Sequence, residues 1–133
     1  MPKQFLVLRD RPFDVEQGLV SADPIIRMLC VDLLATAPTA EQIDRGLRDE
    51  HPIVRLSWIK RKDWTPSAQQ IARGLCDPSW FVRKAWVDRM DWAPTSEQIE
   101  SGLRDSDFEV RKSWVLRAQE LSCAEIASNL KSS

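Results

Sequence analysis

The chain has 133 residues, 43% of them hydrophobic and 29% charged, and a formal net charge of -1. That length and balance suit a folded domain, and the near-neutral total excludes a surface built as a whole to neutralise phosphates. Three widely spaced cysteines, Cys30, Cys76 and Cys123, and one histidine, His51, supply neither a disulfide framework nor a zinc site. No metal or other cofactor is expected, and the expected compartment is a reducing cytoplasm.

The first segment, MPKQFLVLRDRP, holds one short apolar run broken by Arg9, Asp10 and Arg11, which reads as neither signal peptide nor membrane span. Residues 1–12 are expected to form an N-terminal cap. From there the chain repeats itself. Residue 38 begins PTAEQIDRGLRDEHPIVRLSWIKRKDW, residue 66 PSAQQIARGLCDPSWFVRKAWVDRMDW, and residue 94 PTSEQIESGLRDSDFEVRKSWVLRAQE, a period of 28 residues without gaps. The units run about 13–37, 38–65, 66–93 and 94–121, with a truncated C-terminal cap over 122–133, all in a single domain. Gly18, Gly46, Gly74 and Gly102 share one register column; Arg27, Arg55, Arg83 and Arg111 share another, and Trp58, Trp86 and Trp114 a third.

Each unit predicts two short helices. Helix A opens with Thr39, Ser67 or Thr95 followed three positions later by Gln42, Gln70 or Gln98, a capping box that satisfies free amides at a helix start. Its recurrent glycine costs a helix about 1 kcal/mol relative to alanine, so either another backbone comes close there or a tight turn ends the helix. Helix B starts after Asp23, His51, Ser79 or Asp107, with Pro24 and Pro52 at the first helical position. His51 therefore reads as a helix-end residue. Two-helix units this short cannot bury their apolar faces alone, and stacking them is the logic of an α-solenoid.

The segments DEHPIVR, DPSWFVR and DSDFEVR place an Asp six positions before an Arg, with Val just ahead of the Arg. This resembles the HEAT-type repeat, and WIKRKDWTPSAQQI and WVDRMDWAPTSEQI are similar to the 28-residue leucine-rich repeat variant within that superfamily. The resemblance implies an all-α solenoid of about four and a half two-helix repeats. It also implies that Asp49, Asp77 and Asp105 pair with Arg55, Arg83 and Arg111 as a structural ladder. Ser21 stands where the first unit should carry Asp, which leaves Arg27 without that partner. The tryptophan column departs from the family's preference for small residues, and the N-terminal cysteine motif that holds an iron-sulfur cluster in some leucine-rich repeat variant proteins is missing.

On a helical wheel the Arg55 column is flanked by apolar positions, which favours a guanidinium held in a fork geometry over one that contacts a ligand. Trp58, Trp86 and Trp114 lie in the middle of the apolar arc and are expected in the core; Trp64 and Trp92 end helix B and are expected in core or seam. Trp80 and Phe108 occupy a column where earlier units place proline and are the rings expected to be exposed. The remaining arc of helix B carries Lys60, Arg61, Lys84, Arg89, Lys112 and Arg117, whereas many of the acids, such as Glu41, Asp44, Glu97 and Glu100, lie on helix A. The leading expectation is a non-enzymatic scaffold that presents this basic stripe, with Trp80 and Phe108, to a protein partner with an acidic surface. Nucleic-acid binding by the same stripe is the alternative, and a small inhibitor or accessory protein of mobile-element origin is a third. No nucleophile–base pair or phosphate-cradling loop points to an enzyme, and the sequence assigns no oligomeric state.

Overall fold

The structure, a computed structural model, describes residues 5–8 and 11–132. It begins with an antiparallel pair of strands, β1 (Phe5–Leu8) and β2 (Arg11–Asp14), with Phe5 opposite Asp14 and Leu8 opposite Arg11. This short pair is the one non-helical element among the described residues, which are otherwise mostly helical, in keeping with the all-α expectation. Its runs, FLVL and RPFD, are too short to show a period, and their branched and aromatic residues suit a pleated backbone.

The rest of the described chain is mainly helical, in the expected A–B alternation. The helices are α1 (Val15–Gly18), α2 (Pro24–Leu33), α3 (Ala40–Leu47), α4 (Pro52–Lys60), α5 (Ala68–Gly74), α6 (Trp80–Asp88), α7 (Ser96–Gly102) and α8 (Phe108–Ser132). The chain forms two compact units, residues 1–70 and 71–133. In the first, α1 packs on α2, α3 on α4, and α2 on α4; in the second, α6 and α7 pack on α8. The last helix is continuous through residue 122, so the separate C-terminal cap expected from there is an extension of α8 instead.

Local signals account for where helices start. The Thr39 hydroxyl accepts from the Gln42 amide at 3.1 Å while the Gln42 side chain accepts from the Thr39 amide at 2.9 Å. Ser67 with Gln70 and Thr95 with Gln98 repeat both bonds. For helix B, Asp23 accepts from the Ile25 amide and Asp107 from those of Glu109 and Val110. His51 does the same work with Nδ1, accepting from the Ile53 amide at 3.3 Å, the helix-end role expected of it.

The glycine column is explained by close approach, and the approaching group is a ring. A Cβ on Gly46, Gly74 or Gly102 would lie 2.0, 2.0 or 2.1 Å from Nε1 of Trp58, Trp86 or Trp114 respectively. In the first repeat the ring's place is taken by Cys30, whose Sγ would lie 2.2 Å from a Cβ on Gly18. Large aromatic and small glycine thus form one packing element inside each A–B pair. The three tryptophans are each 2% exposed, and core burial of an aromatic contributes on the order of 2–3 kcal/mol. Val15, Cys30, Val31, Leu34, Ile43, Leu47, Val54, Ile59 and Trp64 are buried with Trp58 in the first unit; Ile71, Val82, Val87 and Val110 are buried with Trp86 and Trp114 in the second.

Candidate interaction face

Two arginine columns look alike in sequence and do different work. In the column Arg27, Arg55, Arg83, Arg111, each Nη1 donates to the carbonyl six residues back: Ser21, Asp49, Asp77 and Asp105, at 2.7–2.8 Å. The carboxylate contact reaches forward instead. Arg27 holds Asp49 through Nε and Nη2 at 2.8 and 2.9 Å, and Arg83 holds Asp105 through the same atoms at 2.9 and 2.9 Å. The expected pairing within one repeat is therefore corrected: Asp77 offers Arg83 its carbonyl, and the carboxylate comes from Asp105, 22 residues on. Arg27 also has a full partner despite Ser21, because that position needs only a carbonyl and a side-chain oxygen. Ser21 Oγ accepts from the Asp23 amide, as Asp49, Asp77 and Asp105 accept from the amides two positions ahead. The Asp49 and Asp105 carboxylates raise the pKa of their guanidinium partners.

In the column Arg61, Arg89, Arg117, the first and last close helix ends within their own units. Arg61 donates Nη1 to the Val31 carbonyl at 2.7 Å and Nη2 to that of Thr36 at 2.9 Å. Arg117 donates Nη1 to the carbonyls of Val87 and Arg89 at 2.8 and 2.7 Å, and Nη2 to that of Trp92. These carbonyls lie at or just beyond the C-terminal end of a helix B, where acceptors lack partners inside the helix. Trp64 and Trp92 assist, donating Nε1 to the carbonyls of Trp58 and Trp86 at 3.0 and 2.9 Å. Arg61 also grips Asp63, and Arg89 grips Asp91, two residues on.

Arg61, Arg89 and Arg117 are therefore corrections to the exposed basic stripe. Arg89 is 0% and Arg117 5% exposed, and the Arg61 side chain 13%. The wheel fails for Arg61 and Arg89 because each is the C-cap of its helix, with extended backbone. For Arg117 it fails because the long side chain reaches the end of α6. Burial lowers the pKa of the Arg117 guanidinium.

What stays outside is a smaller set concentrated in the second unit. Trp80 and Phe108 occupy the first turns of α6 and α8 and are 42% and 65% exposed, as expected. One turn further on stand Lys84, whose Nζ meets Asp88 at 2.6 Å, and exposed Lys112. Trp80 sits edge-on to Phe81 with centroids 5.8 Å apart, and Arg111 lies 6.0 Å from the Phe108 ring centre. The first two repeats fill the ring column with Pro24 and Pro52 and the lysine column with Met28 and Leu56, so the ring-and-lysine pattern begins at repeat three. Lys60, also exposed, belongs to the first unit. Aromatic anchors beside solvated cations are the composition of protein interfaces, where ring burial provides affinity and charges orient the approach.

Among the described residues no group of three or more His, Cys, Asp or Glu side chains is placed to hold a metal ion. A cavity of about 270 Å³ in the second unit is lined by residues that include Leu75, Cys76, Glu97, Ser101, Asp105 and Trp114. No helix of the described residues is long and apolar enough to cross a membrane.

Residues 68–88 match the family model described as HEAT repeat associated with sister chromatid cohesion. The matched span contains α5 and α6, and it supports a HEAT-like repeat there. Neither the curated proteins nor the solved structures contain a significant match to the chain.

Proposed function

We propose that the chain is a non-enzymatic interaction module that binds a protein partner through Trp80, Phe108, Lys84 and Lys112. The observation that carries this reading is the exposure of two large rings on neighbouring helices α6 and α8, each followed one turn later by a lysine. HEAT-like repeats serve protein interaction in general, in keeping with the match over residues 68–88. The fuller architecture proposed is a solenoid of about four and a half repeats of the leucine-rich repeat variant type, working in the cytoplasm, with a partner that offers apolar pockets and acidic groups. Nucleic-acid binding is the weaker reading, because Arg61, Arg89 and Arg117 spend their donors on backbone carbonyls and carboxylates and little of the basic stripe is left for phosphates.

The test is affinity capture from the source cell with the chain and a variant carrying Trp80→Ala, Lys84→Glu, Phe108→Ala and Lys112→Glu. The variant should fold with unchanged circular dichroism and lose the captured protein. Retention of the same protein by the variant would sink the proposal, and salt-sensitive micromolar binding of oligonucleotides would move the reading to nucleic acid.

A further inference from the structure

Two cavities stand in the same register and differ in size. In the first unit a space of about 20 Å³, enough for about one water, is lined by residues that include Leu19, Val20, Arg45, Gly46, Asp49 and Trp58. Two 28-residue periods further on, Leu75, Cys76, Ser101, Gly102, Asp105 and Trp114 line the cavity of about 270 Å³ in the second unit. The difference comes from truncated side chains. Ala72, Cys76 and Ser101 line the larger cavity at positions that hold Glu16, Val20 and Arg45 two repeats earlier. Gly102, Asp105 and Trp114 repeat Gly46, Asp49 and Trp58, so the frame is kept while the groups around it shrink.

The same truncation strands a charge. Arg45 Nη2 meets Glu41 Oε1 one helical turn back at 3.6 Å. Glu97 stands two periods beyond Glu41, but Ser101 replaces its arginine, and the Glu97 carboxylate has no ion-pair partner among the described residues. Asp105, the other carboxylate in the cavity, has both oxygens engaged by Arg83 and one also by the Asp107 amide. Glu97 therefore holds the free anionic acceptor, with the Ser101 hydroxyl one turn along α7 and apolar wall from Ala72, Leu75 and Trp114.

We propose that this cavity binds a guanidinium carried on an alkyl stem, the cation received by Glu97 and Ser101 and the stem covered by Ala72, Leu75 and Trp114. The chain itself shows what fits, since the position that Ser101 vacates is held by Arg45 and Arg73 in the two preceding repeats. The volume falls just below the range of about 300–1,000 Å³ for drug-sized ligands, which suits a group the size of one side chain. A free guanidino compound and the arginine of a peptide present the same chemistry. No lining residue belongs to the set Trp80, Lys84, Phe108 and Lys112, so this site and the partner-binding reading can fail separately.

The test titrates N-butylguanidinium into the full chain and follows the Trp114 indole and Gly102 amide by NMR. Saturable shifts at both groups are expected at about millimolar ligand or below, with neutral N-butylurea producing none. Glu97→Gln should weaken binding about fivefold, the scale of one solvated ion pair, and Ser101→Arg should abolish it by filling the space from within. Both variants place a residue that the chain already carries in that column, Gln69 or Arg73, so the repeat tolerates them. N-acetyl-arginine N-methylamide is the second probe. Binding equal to that of butylguanidinium supports a peptide arginine as the source, and its failure beside bound butylguanidinium supports a free compound. Equal binding of the urea, unchanged affinity in either variant, or no saturation up to about 10 mM overturns the proposal.

Discussion

Arg27 and Asp49 face each other through two parallel bonds of 2.8 and 2.9 Å, with side chains only 10% and 11% exposed. The fork spans two repeats, so the pair ties one helical pair to the next, while the carbonyl bond to Ser21 holds the guanidinium in its own repeat. A planar donor with five N–H groups can do both at once, which a lysine cannot.

Arg83→Met should cost about 2 kcal/mol, because it strips a part-buried carboxylate of its main partner and leaves Asp105 to be resolvated. Ser21→Ala should cost well under half of that, since the Arg27 contact at that position is to the carbonyl and only the Ser21 Oγ bond to the Asp23 amide is lost. Urea unfolding of the two variants gives the comparison. Equal costs would mean that the carboxylate fork contributes little.

Acid should weaken the second unit through the same pair. Burial pushes the Asp105 carboxyl up, but the bonds from Arg83 and the Asp107 amide outweigh it and hold the group below its usual range. Asp63 is likewise held low, chiefly by Arg61. A carboxyl with a depressed folded pKa contributes stability that is fully present above its unfolded value of about 4. That contribution is lost as the pH falls through the lower folded value. Asp105→Asn should therefore unfold more easily at pH 7 and show a shallower loss of stability below about pH 4. A parallel pH profile for variant and wild type would count against the pair as the source.

Gly46→Ala, normally a helix-stabilising change, should destabilise by about 1–3 kcal/mol or more through overpacking. The added Cβ would lie 2.0 Å from Trp58 Nε1, and a ring only 2% exposed has little room to move. Adding Trp58→Phe should recover part of the loss, giving a coupled pair in a double-mutant cycle followed by thermal melting. Strict additivity would mean that the glycine serves another purpose.

These residues also show how far the sequence can be read. Capping boxes, the helix alternation and the tryptophan core depend on contacts within a few residues or on one helix's period, and both are visible in the repeat columns. The forward step of the Arg–Asp fork was not, because the 28-residue period puts an aspartate six residues before Arg55 and another 22 residues after it, and the register alone cannot say which one an arginine meets. Arg61 and Arg89 were misplaced for a different reason: the helix ends one residue before each, and a wheel has no meaning beyond that point. A usable signal was present in their spacing, since an arginine column that begins only with the second repeat, after Leu33 in the first, suits a group that reaches backward.

Arg117 and Lys112 provide the sharpest separation of structural from surface cations. Both lie on α8, five residues apart, and both belong to the stripe that sequence assigns to binding. Arg117 donates to three carbonyls around the end of α6, and its guanidinium lies 5.0 Å from the Trp92 ring centre. Truncating it to alanine leaves those acceptors without their donor and opens a gap against Trp92, a combined cost of about 3 kcal/mol. Lys112→Ala removes an exposed cation from a helix surface and should change stability by no more than about 0.5 kcal/mol. In chemical denaturation the Arg117 variant should shift its midpoint far down, while the Lys112 variant overlays wild type and shows its effect only in partner capture. A stable Arg117→Ala chain would return that residue to the list of candidate contacts and undo the distinction between the two columns.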